Sequence, residues 1–197
     1  TDFCETASRT HVGSQRLKTG RISKMRRRVL TPHPGLSTGI GYYLGGMEEV
    51  RRQVAVAVKD MSDDQIGRPA FLGAHSIGGL VLHIGEAEWF FIKMVVSGQK
   101  LTDEVKNAPY WDILDDVERV ARNGYTAEFC LSEVEHIRNQ TRDVLFSYND
   151  KDLERIITFE RDGKTTEYNL RWILHHLIDH EAQHKGQIFM LKRLMAI

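Results

Sequence analysis

The sequence predicts an all-α domain: a four-helix bundle with a crossover connection and a small β-hairpin before its last helix. Four long segments place apolar residues three and four positions apart, the spacing with which a helix buries one face. One short segment instead has strand-forming residues on both sides of Asp162-Gly163, a favoured two-residue hairpin turn. The 33-residue connection at 98–130 is long enough to cross the bundle, so simple up-down wiring is not required.

The first long helix is predicted to begin at Ser37 or Thr38, either of which can cap it, and to end near Met61. Helix-breaking residues follow at 63–69. Its opposite face is charged and therefore solvent-exposed, whereas the buried stripe is Ile40, Tyr43/Leu44, Met47, Val50, Val54, Val58 and Met61.

The second long helix is predicted from Ser76 to about Ser97, where Gly98 ends it. His83 lies against its apolar stripe, which consists of Ile77, Leu80, Ile84, Ala87 and Phe91. The Gly78-Gly79 pair is interpreted as a point of close helix packing, because no strand precedes it to form a phosphate-binding loop.

The third and fourth long helices follow a short helix predicted at about 112–122. Ser132 and Glu135 form a capping-box pattern, which predicts a third helix from Glu133 to Tyr148. The last helix is predicted over residues 170–195, with an inner line of Ile173, Leu177, His180, His184, Ile188 and Leu191. Two histidines at core positions are costly to bury unless a partner satisfies their polar nitrogens.

Composition is that of one globular domain, with 41% hydrophobic and 27% charged residues in 197. We assign residues 36–197 to this domain and residues 1–35 to a basic, disordered extension. No apolar run is long enough to span a membrane, and residue 1 is not followed by an apolar run of signal-peptide type. The expectation is a cytoplasmic protein in which Cys4 and Cys130 stay reduced.

The zero net charge hides an asymmetry between the two segments. Residues 1–28 carry eight basic and two acidic residues, a net charge of +6, and the remainder carries 19 basic and 25 acidic residues, a net charge of −6. A basic arm is compatible with nucleic-acid binding, but this one has a single aromatic residue and no helical periodicity. We therefore expect no nucleic-acid partner and no membrane partner.

The most informative segment is His180-Glu181-Ala182-Gln183-His184 in the last helix. Histidines four residues apart project from one helix face, close enough to bind one metal ion. The segment also matches the short H-E-x-x-H pattern, in which the glutamate activates a metal-bound water molecule. Glu181 lies about 100° around the helix from His180, so the sequence leaves open whether it faces the metal or solvent.

Two longer motifs resemble the DinB-like family. The family shows SIG-x-L-x-x-H-I in its second helix, as residues 76–84 do here, and H-x-x-x-H-x-x-x-H-[RK]-G-Q-I in its fourth helix, as residues 176–188 do. The resemblance covers roughly residues 37–195 and leaves the basic arm unexplained. It implies a crossover four-helix bundle that binds a divalent metal ion through His83, His180 and His184, with His176 lining the pocket.

The resemblance also frames the functional alternatives. Family members with a known activity are transferases or isomerases that use low-molecular-weight bacterial thiols. A small-molecule thiol is therefore the expected partner. Three imidazoles suit Zn²⁺, or Ni²⁺ or Fe²⁺ with added water. A metal-activated thiol would need a proton shuttle, and His176 and Glu181 are the candidates. The first alternative function is a hydrolase in which Glu181 acts as the base, and the second is a non-catalytic, stress-related metal-binding bundle.

Glu86 is a further candidate to face the metal, and Glu88 is expected at the surface or beside the ligands. The aromatic-rich second helix suggests homodimerisation.

Overall fold

The computed structural model describes residues 27–196. In chain order its elements are α1 (Thr38–Val58), α2 (Asp63–Gly67), α3 (Ile77–Trp89), α4 (Asp103–Lys106), α5 (Arg119–Arg122), α6 (Ala127–Leu145), β1 (Ile156–Arg161), β2 (Lys164–Asn169) and α7 (Leu170–Leu194). A π-helical segment, Phe90–Val96, continues α3, and short 3-10 turns occur at Ile113–Asp115 and Asp150–Glu154.

The four long helices form a bundle in which helices consecutive in sequence are not all neighbours in space. Helix α1 packs against α7, α3 packs against both α6 and α7, and α6 also contacts α1. Around the bundle the order is therefore α1, α7, α3, α6, with α1 and α3 on opposite corners. The predicted four-helix bundle, its crossover connection and its hairpin are confirmed.

Helix starts match the predicted capping chemistry at α3 but not at α1 or α6. At α1 the Ser37 side chain makes no capping bond, and the Asp150 carboxylate instead accepts from the Gly39 and Ile40 amides at 3.0 Å. The Ser76 hydroxyl accepts a hydrogen bond from the Gly79 amide at 3.1 Å and begins α3. Helix α6 begins at Thr126, whose hydroxyl accepts from the Phe129 amide at 3.0 Å. The prediction of a start at Ser132 is wrong, because Ala127 and Cys130 are buried and extend the apolar stripe by more than one turn ahead of it.

The predicted close packing at Gly78 is confirmed, and Gly85 provides a second such point. A Cβ atom on Gly78 would lie 3.0 Å from the carbonyl oxygen of Ile66 in α2. A Cβ atom on Gly85 would lie 2.9 Å from side-chain carbons of Val134 and Ile137 in α6. Because neither glycine has a side chain, the backbone of α3 packs directly against α2 at Gly78 and against side chains of α6 at Gly85.

The hairpin covers part of the aromatic surface beyond α3. Its turn residues have the positive φ angles that a tight hairpin turn requires, 52° at Asp162 and 73° at Gly163. Phe159 of β1 packs edge-on against Phe90, with ring centroids 5.5 Å apart. The flank that suggested homodimerisation is thus partly occupied by the chain itself, and homodimerisation stays a prediction.

Most of the predicted extension, residues 1–26, lies outside the described residues, and so does Cys4. Its last part packs on α1, where the His33 amide donates to the Gly41 carbonyl at 3.0 Å. A Cβ atom on Gly45 would lie 2.7 Å from the Thr31 carbonyl oxygen. Thr31 and His33 therefore contact α1, and the domain boundary at residue 36 stays a prediction. Across the described range, no helix combines the length and apolarity needed to cross a bilayer.

Candidate metal centre

Helices α3 and α7 bring His83, His180 and His184 together. His83 lies in the middle of α3, and the other two lie one turn apart on the adjoining face of α7. The ring centroid of His83 is 5.1 Å from that of His180 and 5.0 Å from that of His184. Among residues 27–196 these three form the one group whose potential ligand atoms all lie within 4.8 Å of one another.

The spacing of the ring nitrogens fits a metal ion. The Nε2 atoms of His180 and His184 are 3.1 Å apart. Two nitrogens that each bind zinc at about 2.0–2.1 Å are separated by about 2.8–3.4 Å for N–Zn–N angles from a right angle to the tetrahedral angle. The 3.1 Å separation therefore lies within the range for two nitrogens that bind one metal ion.

Acceptors outside the cluster hold two of the rings in the tautomer that metal binding requires. The Glu86 carboxylate (Oε2) lies 2.8 Å from Nδ1 of His83, and the Gln187 amide oxygen lies 2.7 Å from Nδ1 of His184. Each Nδ1 donates its proton to an oxygen, which leaves the Nε2 lone pair free. Glu86 was a candidate to face the metal, but its carboxylate instead accepts a hydrogen bond from Nδ1 of His83, on the side of the ring away from Nε2.

Burial favours the neutral form of the two α7 histidines of the cluster. Desolvation, and then the proximity of the other histidines, lowers the pKa of His180 to about 3. Burial also lowers the pKa of His184, although its hydrogen bond to Gln187 opposes the shift. Neutral imidazole is the form that binds metal ions, so these rings are ready to act as ligands at neutral pH.

His176 lies one turn before His180 and forms part of an aromatic wall. Its ring stacks on Trp172 at a centroid distance of 4.7 Å and an interplanar angle of 5°, and it packs edge-on against Phe91 at 4.9 Å. Its centroid is 5.8 Å from that of His180. Burial lowers the pKa of His176 despite the opposing charge of Asp179. The role of His176 as a pocket-lining residue stays a prediction.

Glu181 occupies a different place from the one expected of a base. Its carboxylate is buried and accepts hydrogen bonds from Arg51 at 2.6 and 3.3 Å and from Arg138 at 3.1 Å. Two guanidinium groups hold it inside the bundle, on a different side of α7 from the histidine cluster. The prediction that Glu181 is the base or proton shuttle is therefore wrong, because its lone pairs are already committed to cations.

Glu88 completes this buried group and also corrects an expectation. It was expected at the surface or beside the ligands, yet its side chain is 2% exposed and bonds Arg138 at 2.7 and 2.9 Å and Arg51 at 2.8 Å. The four residues come one each from α3, α1, α6 and α7 and balance two positive with two negative charges. The sequence feature that indicates burial of these four residues is their spacing, because each lies four positions from a core residue of its own helix.

A small apolar cleft of about 180 Å³ lies on the other side of the cluster from His176. Gln187, the partner of His184, is one of its walls, and Leu80, one turn before His83, is another. Phe71 and Met190 form its outer edge and are half exposed. The histidines thus lie between an aromatic wall and an apolar cleft.

A family model described as Mycothiol-S-transferase matches residues 44–196. The chain belongs to the mycothiol-S-transferase family. This match includes every residue of the histidine cluster and confirms the DinB-like resemblance of the two motifs. No curated protein sequence matches the chain significantly.

Two solved structures are similar to the chain in fold. YfiT from Bacillus subtilis, described as a probable metal-dependent hydrolase with an unusual four-helix bundle topology, is 16% identical with a TM-score of 0.56, over 78% of this chain and 86% of YfiT. A DinB-like protein from Bacillus cereus is 20% identical with a TM-score of 0.55, over 78% of this chain and 91% of its own. At these identities the likeness concerns the bundle alone.

Proposed function

We propose that this protein is a metal-dependent S-transferase that activates a low-molecular-weight thiol. The observation that carries the proposal is the histidine cluster in a chain of the mycothiol-S-transferase family. The neighbouring carboxylate of Glu181 does not face this cluster, because it is hydrogen-bonded to Arg51. His83, His180 and His184 hold the divalent ion, which is Zn²⁺ or Ni²⁺, with Fe²⁺ as a third candidate.

The chemistry favours a thiol over water as the species activated. A bound divalent ion lowers the pKa of a thiol or of a water molecule that reaches it. A free thiol has a pKa of about 8.5 and water one of about 15.7, so the thiol needs far less help from a base. In this chain the carboxylate that a water-activating mechanism would use, Glu181, is bonded to two arginines.

The residues around the cluster supply the remaining steps. His176 is neutral and lies beside His180, so it accepts the thiol proton and passes it to solvent. The sulfur then forms a bond to an electrophilic carbon, and a leaving group departs with the bonding electrons. Glu86 and Gln187 keep the ligand rings in place during this step. The family description names mycothiol, which makes mycothiol the first thiol to test.

Cobalt substitution tests the proposal directly. The protein loaded with Co²⁺ should develop an intense sulfur-to-cobalt charge-transfer band when the thiol is added. His184→Ala should abolish the band and most of the bound metal. His175→Ala is the matched control, since His175 is an exposed histidine on the same helix outside the cluster. Full metal occupancy in both His180→Ala and His184→Ala, measured by elemental analysis, would overturn the ligand assignment.

The two alternatives predict different results in the same experiment. A hydrolase, the activity suggested for YfiT, would show no thiol band and would release product from ester or amide substrates. A non-catalytic metal-binding bundle would bind Co²⁺ and give neither response. Product formation from thiol and electrophile that requires His184 supports the transferase.

A further inference from the structure

One carboxylate links the metal-site histidine of α3 to the crossover connection. Oε2 of Glu86 lies 2.8 Å from Nδ1 of His83, and Oε1 accepts a hydrogen bond of 2.8 Å from the backbone amide of Asp112. Glu86 is three residues after His83, so both project from one face of α3. The side chains are 24% and 15% exposed, which places this bridge at the edge of the core.

The far end of the bridge lies in a packed part of the crossover connection. Asp112 has a φ of 47°, in the left-handed region that few residues other than glycine adopt. Tyr110 and Trp111 before it are buried, and Trp111 packs edge-on against Trp89 of α3 at 5.7 Å. Arg119 donates to the carbonyl oxygen of Trp111 at 2.7 Å. The amide that Glu86 meets is therefore held in place by the surrounding structure.

Gln187 provides a contrast on the other helix. Its side-chain oxygen orients His184, as Glu86 orients His83, but it is neutral and belongs to the same helix as its histidine. Of the two outer partners, Glu86 is the one that carries charge, and it also reaches a segment outside the bundle helices.

We propose that Glu86 is a positioning residue that holds His83 for metal binding and couples the metal site to the crossover segment 107–116. This inference rests on the proposed metal-binding function. Carboxylates behind ligand histidines raise the basicity of the ligand nitrogen, and their loss commonly weakens metal affinity by about 10–100-fold. Since the same carboxylate fixes the Asp112 amide, filling the site also damps opening of residues 107–116.

The test compares Glu86→Gln with two controls. The glutamine has one acceptor oxygen where two donors must be met, so one contact is lost together with the charge. Glu104→Gln removes the same charge from an exposed position in the same connection. Gln187→Ala disturbs His184 but leaves the Asp112 contact intact. Each variant is titrated with Co²⁺, and hydrogen exchange of residues 107–116 is followed with and without metal.

The expected results separate this inference from the proposed function. Glu86→Gln should bind Co²⁺ about 10–100-fold more weakly, with an altered d–d absorption spectrum, while Glu104→Gln behaves like the parent protein. Metal should slow exchange at 107–116 in the parent, Glu104→Gln and Gln187→Ala, but not in metal-saturated Glu86→Gln. Unchanged affinity, spectrum and exchange in Glu86→Gln would overturn the role of Glu86. Failure of the parent protein to bind Co²⁺ would overturn the proposed metal site instead.

Discussion

Replacing Arg138 by Met should destabilise the bundle far more than loss of a surface charge does. Arg138 is fully buried and makes two hydrogen bonds to Glu88 and one to Glu181. Without it, two buried carboxylates face a single guanidinium, that of Arg51, and the group carries a net charge of −1. Removing one partner of a buried ion pair costs about 3–5 kcal/mol, because the remaining charge is left uncompensated.

Acid should destabilise the parent protein through the same group. Burial alone would raise the pKa of Glu88, but the charges of Arg138 and Arg51 outweigh it and lower the pKa from 4.5 to about 2. A folded-state pKa below the unfolded one stabilises the fold above pH 4.5, and this stability is lost as the pH falls towards 2. A shift of this size corresponds to about 3 kcal/mol of stability at neutral pH.

Urea unfolding followed by circular dichroism at pH 7, 5, 4 and 3 measures both effects. Arg138→Met should lower the free energy of unfolding by about 3–5 kcal/mol at pH 7 and lose less than the parent on acidification. Arg138→Lys keeps the charge but not the forked geometry, so its loss should be intermediate. Arg52→Met, in an exposed pair with Glu49, is the control and should change little. Equal stability of Arg138→Met and Arg52→Met would refute charge compensation as the role of the buried group.

Further predictions concern the helices, the thiol and the extension. Gly186→Ala should stabilise the fold by about 0.5–1 kcal/mol, because Gly186 is helical and an added Cβ would meet nothing within 4 Å. Gly85→Ala should destabilise the fold by about 1–3 kcal/mol, because its Cβ would press on α6. The urea unfolding midpoints of the two variants test this difference, and equal midpoints would contradict it. Cys130 is a free thiol, and its burial raises the pKa of that thiol to about 12. In a Cys4→Ser background, Ellman's reagent should therefore react with Cys130 only after the protein unfolds. Deleting residues 1–26 should leave the melting temperature and metal content unchanged, and a drop of several degrees would show that this segment contributes to the body. Sedimentation should give the mass of two chains, and a single-chain mass would remove the homodimer prediction.

The helices, the hairpin and the paired histidines of α7 could be predicted from the sequence because their signals are local. Apolar spacing specifies which face of a helix is buried, and Asp162-Gly163 supplies the positive φ angles of the turn within two residues. His180 and His184 share a helix face whatever packs around them. Their convergence with His83 was expected from the family motifs, since nothing local joins residues about a hundred positions apart.

Only the tertiary structure decided the direction of each carboxylate. Glu181 is adjacent to His180 in sequence, and about 100° of helix rotation separates a metal-facing position from a core-facing one. Which of these is favourable depends on the guanidinium groups of Arg51 and Arg138, which come from helices distant in sequence. The same holds for Glu86, whose second oxygen meets a backbone amide 26 residues away. A buried charge is stable only where the fold brings its partner, so its role follows from how the helices are arranged around it.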